Sequence, residues 1–181
     1  MQDSPQSVLD FWFEEIEPKQ HWQKDTEFDQ LITRRFADTH AAAIACELYS
    51  WRTTPEGRLA EVIVLDQFSR NMFRDRARSF EADPLALAIA QEAVAGGHDQ
   101  ALEQEHRVFL YMPFMHSESP IVHEQAVLLF EQLGIESNLH FERRHKDVID
   151  RFGRYPHRNR ILGRKSTDVE LEFLAQPGSS F

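Results

Sequence analysis

The 181-residue chain carries 41% hydrophobic and 28% charged residues with only 7 glycines and 8 prolines, which excludes collagen-like, linker-like and disordered chains and suits one globular domain over residues 1–181. A formal net charge of −10 opposes nonspecific contact with nucleic acid or an anionic membrane. The single cysteine, Cys46, excludes an internal disulfide and fits a reducing compartment.

Residues 1–6 hold neither a basic cluster nor an apolar run, and apolar stretches such as 62–65 fall far short of the ~20 residues that span a bilayer. The expectation is a cytoplasmic protein with no membrane segment. Apolar periodicity is helical throughout, and no alternating run between hairpin turns marks a strand, so the expected fold class is all-α.

Ser4-Pro5 opens the first helix, with Val8, Leu9, Phe11, Trp12 and Ile16 on one broad face and an end near Pro18. Asp25 caps a second, in which Phe28, Leu31, Ile32, Phe36, Ala43, Ile44 and Leu48 recur at spacings of three and four; this pattern predicts a helix to about Tyr49. Thr54-Pro55 starts a third, carrying Leu59, Val62, Ile63, Leu65, Phe68 and Met72. Asp83-Pro84 opens a helix that Gly96-Gly97 closes, and 101–112 forms its return, giving one helical hairpin.

Ser119-Pro120 to Leu133-Gly134, with a return from about Asn138 to Gly153, gives a second hairpin. Pro84, Pro120 and Pro156 lie at a 36-residue spacing, close to the ~34-residue period of helix-turn-helix repeats. The Trp-Leu-Gly-Tyr pattern of the commonest such repeat is missing. Thr167 and Glu170 form a capping box ahead of Leu171, Phe173 and Leu174, and a frayed tail is expected over 176–181.

Three stretches break their local pattern. On the third helix the stripe Leu59, Val62, Ile63 continues onto Asp66 and Arg70, an i, i+4 charge pair where apolar residues belong, with Gln67 and Asn71 repeating the spacing one position along. Such a seam either ties the helix to the basic segment or lines a cleft and orients a ligand. In FLYMPFMHSE (109–118), Pro113 is expected to end or kink an otherwise apolar helix and to present His116 and Glu118 at its boundary.

In RFGRYPHRNRILGR (151–164), five arginines, two glycines and a proline exclude one regular helix and offer planar donors matched to carboxylate or phosphate oxygens. Over 143–165 nine basic residues face two acidic ones, a net +7 that leaves −17 elsewhere. That island either neutralises the acidic remainder or forms an anion site.

Glu103 to His106 and Glu142 to His145 have the Glu-x-x-His spacing of dimetal carboxylate bundles. With 18 glutamates and nine histidines about one such string arises by chance, so neither a metal nor a cofactor is expected. No nucleophile elbow, phosphate loop or H-E-x-x-H string is present. Acid-base chemistry by Asp66 or Glu118 with His116, His145 or His157 stays open.

Together LDFWF near the start, LDQFSRN, FLYMPFMHSE and FGRYPHRNRILGR resemble the signatures of the bacterial domain-of-unknown-function family 924. The resemblance covers nearly the whole chain and implies a tetratricopeptide-like, right-handed superhelix of stacked antiparallel hairpins. It brings no activity, substrate or cofactor. It implies attention to Asp66, Gln67, Arg70 and Asn71, to His116 and Glu118, and to Gly153, Arg154, Pro156, His157, Arg158, Asn159, Gly163 and Arg164, and it sets Ser69 and Tyr155 aside as positions where the family varies.

The leading expectation is a binding protein with a polar cleft for a small carboxylate- or phosphate-bearing ligand or an acidic peptide, with no nucleic-acid or membrane partner; a homo-oligomer is compatible with the sequence. Arg70, Arg154 and Arg158 would hold the anion, fixed by Asp66 and Asn159, and Gln67, Asn71, His116, Glu118 and His157 would line the cleft. The rivals are a hydrolase using His116 or His157 as general base with Asp66, and a protein whose polar motifs only lock the fold.

Overall fold

The structure, a computed structural model, describes residues 3–179, which contain helices and no strands. Helix α1 (Pro5–Leu9) runs on through a wide π-helical segment, Asp10–Glu15. Ser4 and Ser7 cap α1 reciprocally. Helix α2 (Thr26–Ile44) starts where Asp25 accepts from the backbone N–H groups of Glu27 and Phe28 at 2.8 and 3.1 Å.

Helix α2 stops five residues before the expected Tyr49. Cys46 takes the left-handed conformation, φ 58°, and the N–H groups of Cys46 and Glu47 return to the carbonyls of Ala43 and Ala42, a Schellman closure. Glycine or asparagine usually marks such a stop, and neither stands there, so apolar periodicity alone overshot the end.

Helix α3 (Pro55–Ile63), a second wide turn Val64–Phe68 and α4 (Ser69–Met72) form one nearly continuous rod. From Leu59 to Ser69 every residue is buried, which makes this the central helix. Helix α5 (Asp83–Ala95) is followed by a short 3₁₀ turn, His98–Ala101, so α6 (Gln104–Met115) begins three residues later than expected. It also runs through Pro113 rather than ending there, and His116 is its C-cap.

Helices α7 (Pro120–Leu133) and α8 (Glu136–Phe152) complete the second hairpin, α8 starting two residues earlier than expected. A last helix, α9 (Asp168–Leu174), carries the expected Thr167–Glu170 box. Helix α5 packs on α6, α6 on α7 and α7 on α8, while α3 contacts α1, α5 and α6.

The main core joins residues from Val8 to Leu133. At one end Phe11, Phe36, Phe68, Trp12 and Phe109 form a chain of tilted and edge-to-face ring contacts 4.8–5.6 Å apart. Val148, Ile149 and Tyr155 form a small second cluster under the C-terminal loop. Within the tail expected to fray, Ser179 Oγ donates to the Leu174 carbonyl and the Gly178 carbonyl accepts from Arg144. Residues 180–181 lie outside the described range. No helix among the described residues is long and apolar enough to cross a membrane.

Candidate functional site

The wide turn Val64–Phe68 places Asp66 beneath the junction of α4, α5 and α6, with its side chain 1% exposed. One ion pair and two hydrogen bonds converge on its carboxylate: Arg70 Nη1 lies 3.0 Å away, and His116 Nδ1 and Gln67 Nε2 donate at 2.8 and 2.6 Å. Burial pushes the Asp66 pKa up, but the charges of Arg70 and His116 and the hydrogen bonds prevail and hold it far below the usual carboxylate range. The pair read from the helix periodicity is therefore real and buried.

Arg70 is fully committed. Besides Asp66 it donates two parallel hydrogen bonds to Asp83 at 3.0 and 3.1 Å and one to the Asp66 carbonyl at 2.9 Å. Burial opposes its charge, but Asp66 and Asp83 more than offset that and raise its pKa. Asp83 was legible only as a helix start; its role as the second carboxylate of this network needed the fold.

His116 sits at the end of α6 with Asp66 behind it. Burial and then the Arg70 charge push its pKa below the ordinary value despite Asp66, so the ring is neutral at pH 7. A carboxylate only accepts, which puts the ring proton on Nδ1 and leaves the Nε2 lone pair uncommitted. Nε2 makes no hydrogen bond to the described residues.

Arg158 is poorly satisfied for a buried arginine. Its guanidinium lies between the rings of Phe80 and Tyr155, 4.6 and 4.5 Å from their centroids. Nη1 has one long hydrogen bond, 3.4 Å to Asp83 Oδ2, and the buried Nε has no partner among the described residues. Burial, followed by the Arg70 charge, lowers the Arg158 pKa.

Beside this network lies one recess of about 400 Å³, a size suited to a small organic ligand. Asp83, His116, Glu118 and Arg158 reach its lining; Phe80, Pro84, Leu87, Pro113 and Leu162 supply apolar walls. Two of the sequence-distant strings, 109–118 and 151–164, thus meet at the hollow, joined by the start of α5; the third, LDQFSRN, was expected to line it but lies behind, with none of Asp66, Gln67, Arg70 or Asn71 in the lining.

Other expected site residues face elsewhere. Arg154 pairs with Glu170 at 2.7 and 2.8 Å, which anchors α9. Asn71 and Arg74 both bind Asp29 of α2. Asn159 was expected to fix a ligand-holding arginine; instead its Oδ1 accepts from Arg164 Nε at 2.9 Å. Arg164 in turn grips Glu118 at 2.6 and 2.8 Å, and the Tyr155 N–H also donates to Glu118.

Burial pushes the Glu118 pKa up, but Arg164 and that N–H bring it below the ordinary value. His157 stacks against Tyr155, 5.6 Å between centroids, and burial, then the Arg158 charge, lowers its pKa to about 4. It does not border the recess. Gly153 and Gly163, at φ 68° and 67°, supply the left-handed turns that bring this loop back onto the helices.

A network absent from the sequence reading holds the corner rigid. His123 and Glu142 are fully buried and 2.7 Å apart. The C-terminal carbonyls that α6 cannot satisfy internally receive side chains: Met115 accepts from Tyr155 Oη, and Ser117 from His123 Nε2 at 2.8 Å. Tyr155, set aside on the resemblance, is the hub of this corner. The signal for it was weak, a lone tyrosine in an arginine-rich loop.

Of the two Glu-x-x-His strings, Glu142 is taken by His123 and His145 Nδ1 donates to the Phe141 carbonyl. Among the described residues no group of three or more His, Cys, Asp or Glu side chains is placed to hold a metal ion. Part of the basic island is paired: Arg143 meets Glu131, Lys146 Asp150, Arg154 Glu170 and Arg164 Glu118. Arg158, which borders the recess, has only the 3.4 Å contact with Asp83.

The all-helical fold and this motif set define a family, and the sequence profile of the bacterial proteins of unknown function called DUF924 matches residues 8–178. The chain belongs to that family. A solved structure of a protein of unknown function from Agrobacterium tumefaciens is similar at 41% sequence identity over 94% of this chain and 96% of that one, with a TM-score of 0.90. No protein of curated function matches the chain.

Proposed function

We propose that this chain is a cytoplasmic binding protein whose stacked hairpins, read as a tetratricopeptide-like right-handed superhelix, present the recess to a small anionic ligand or an acidic peptide side chain. The observation that carries this reading is Arg158, a cation in the recess wall with one long hydrogen bond where two short ones are usual. Arg70, pinned by Asp66 and Asp83, positions Asp83 and His116 instead of touching the ligand. The packing of α5 on α6, α6 on α7 and α7 on α8 supports the stacked-hairpin reading.

Thermal-shift screening with small carboxylates and phosphates tests it. A ligand at 100 times its Kd stabilises by about 2.7 kcal/mol, a rise of roughly 5–10 °C in Tm for a chain of this size. Arg158→Met removes that rise. If no anion stabilises the wild type, or if Arg158→Met responds equally, the reading fails.

A second reading, hydrolysis of a small anionic substrate, is favoured by one observation: His116 borders the recess with Asp66 on Nδ1 and with Nε2 unpaired among the described residues, the arrangement of a general base with its orienting carboxylate. Turnover of an ester or phosphoester panel that disappears in His116→Gln but persists in His157→Gln would establish it; no turnover would dismiss it.

A further inference from the structure

Resting on the binding reading, the structure points to a narrower ligand class: we propose that the recess takes a small monocarboxylate with an apolar body, and that a proton enters with it onto His116 Nε2. Three observations lead there.

The first is the charge balance. Facing His116 or the recess are Arg70 of α4, Arg158 and Arg164 of the C-terminal loop, Asp66 of the wide turn, Asp83 of α5 and Glu118 beyond α6. Three positive charges meet three negative ones. Glu81 at the mouth adds one more carboxylate, with Arg78 4.0 Å away from it. His145 and His157, nearby, are neutral, burial lowering their pKa values to about 3 and 4. The site has no surplus of positive charge with which to balance a dianion.

The second is the helix end that faces the recess. Phosphate sites commonly use free N–H groups at a helix N-terminus. Here the first turn of α5 presents Asp83, whose carboxylate already occupies the positive end of the dipole, and Pro84, which has no N–H. A phosphate would meet a carboxylate where it needs donors. A monocarboxylate needs only the Arg158 guanidinium, and its hydrocarbon part fits against Phe80, Leu87, Pro113 and Leu162.

The third is His116. Its Nδ1–H is committed to Asp66 and its Nε2 is a bare acceptor. An anion beside it turns Nε2 into a favourable place for a proton, and an imidazolium there restores the zero balance that the ligand's charge upsets. The bound species is then a carboxylate between Arg158 and a protonated His116, and one proton is taken up per ligand.

Isothermal titration with hexanoate, succinate and inorganic phosphate at pH 6, 7 and 8, each in two buffers of different ionisation enthalpy, tests the proposal. Hexanoate is expected to bind, succinate and phosphate at least tenfold more weakly, and the hexanoate Kd to fall several-fold from pH 8 to pH 6 with proton uptake read from the buffer difference. His116→Gln should abolish the uptake and flatten the pH dependence.

Tighter binding of succinate or phosphate than of hexanoate would overturn the ligand class while leaving anion binding intact. Hexanoate binding to the wild type with no proton uptake would overturn the role of His116. Binding of none of the three, with other anions active in the thermal screen, would overturn this inference alone; silence in both experiments would overturn the binding reading with it. The wild-type proton count needs no variant to fold.

Discussion

Replacing Arg70 and Arg158 separately by methionine separates a structural guanidinium from one available to a ligand. Arg70 holds two carboxylates, and without it Asp66, with a side chain 1% exposed, remains charged and buried with only His116 and Gln67 as donors. Breaking a buried pair by removing one partner costs about 3–5 kcal/mol, and at roughly 2–4 °C per kcal/mol for this size the Tm should fall by about 10 °C. Arg158 gives up one 3.4 Å hydrogen bond and two ring contacts, while its removal relieves the burial of a poorly paired charge and leaves Asp83 bound by Arg70. Methionine keeps apolar contact with both rings, so the net change should stay within about 1 kcal/mol.

Thermal and urea denaturation of both variants provides the measurement, with Asp66→Asn added to Arg70→Met as a double-mutant check. Neutralising Asp66 should recover part of the Arg70 loss. Equal losses in Arg70→Met and Arg158→Met, or a loss below about 1 kcal/mol for Arg70→Met, would refute this division of roles.

Three other outcomes are expected. Burial lowers the pKa values of His40, His145 and His157 to about 4, 3 and 4; the unfolded chain takes up protons near 6.5 that the folded one refuses, so their contribution is present above pH 6.5 and is lost as pH falls toward 4, about 4 kcal/mol between pH 7 and 5.5. Urea midpoints that do not fall over that interval would contradict it. His123→Ala should cost about 3–5 kcal/mol by leaving Glu142 buried alone, whereas Glu142→Gln, which can still hydrogen-bond His123, should cost less than half as much by the same assay. In Gly57→Ala the new Cβ would lie 1.9 Å from the Trp51 carbonyl oxygen, so about 3 kcal/mol or a failure to fold is expected, against about 1 kcal/mol for Gly97→Ala, where φ is 70° but the space is open; circular dichroism melts of the two should differ accordingly.

The helix starts that carry a side-chain cap were legible because capping is local chemistry: Ser4, Asp25, Thr54 and Thr167 each accept a backbone N–H within their own first turn, whereas the uncapped starts of α6 and α8 were misplaced by three and two residues. Helix ends without glycine were not legible. Cys46 adopts a left-handed conformation that its residue type does not announce. The Asp66–Arg70 seam showed in the sequence because burial is periodic along a helix, and two charges on an apolar stripe must be paired.

What could not be read from one dimension is which partner each charge chose. The arginines of the C-terminal loop are alike in residue type, yet Arg154 goes to Glu170, Arg164 to Glu118 and Arg158 to the recess. Asp83 and Tyr155 gained their roles from neighbours 75 and 32 residues away, Arg158 and His123. Local sequence sets the helices and the need to pair buried charge, because both depend on spacings of three and four residues. The match of each guanidinium to a carboxylate depends on how α5, α6 and the loop cross in space, and tertiary packing alone leaves Arg158 short of partners beside a hollow.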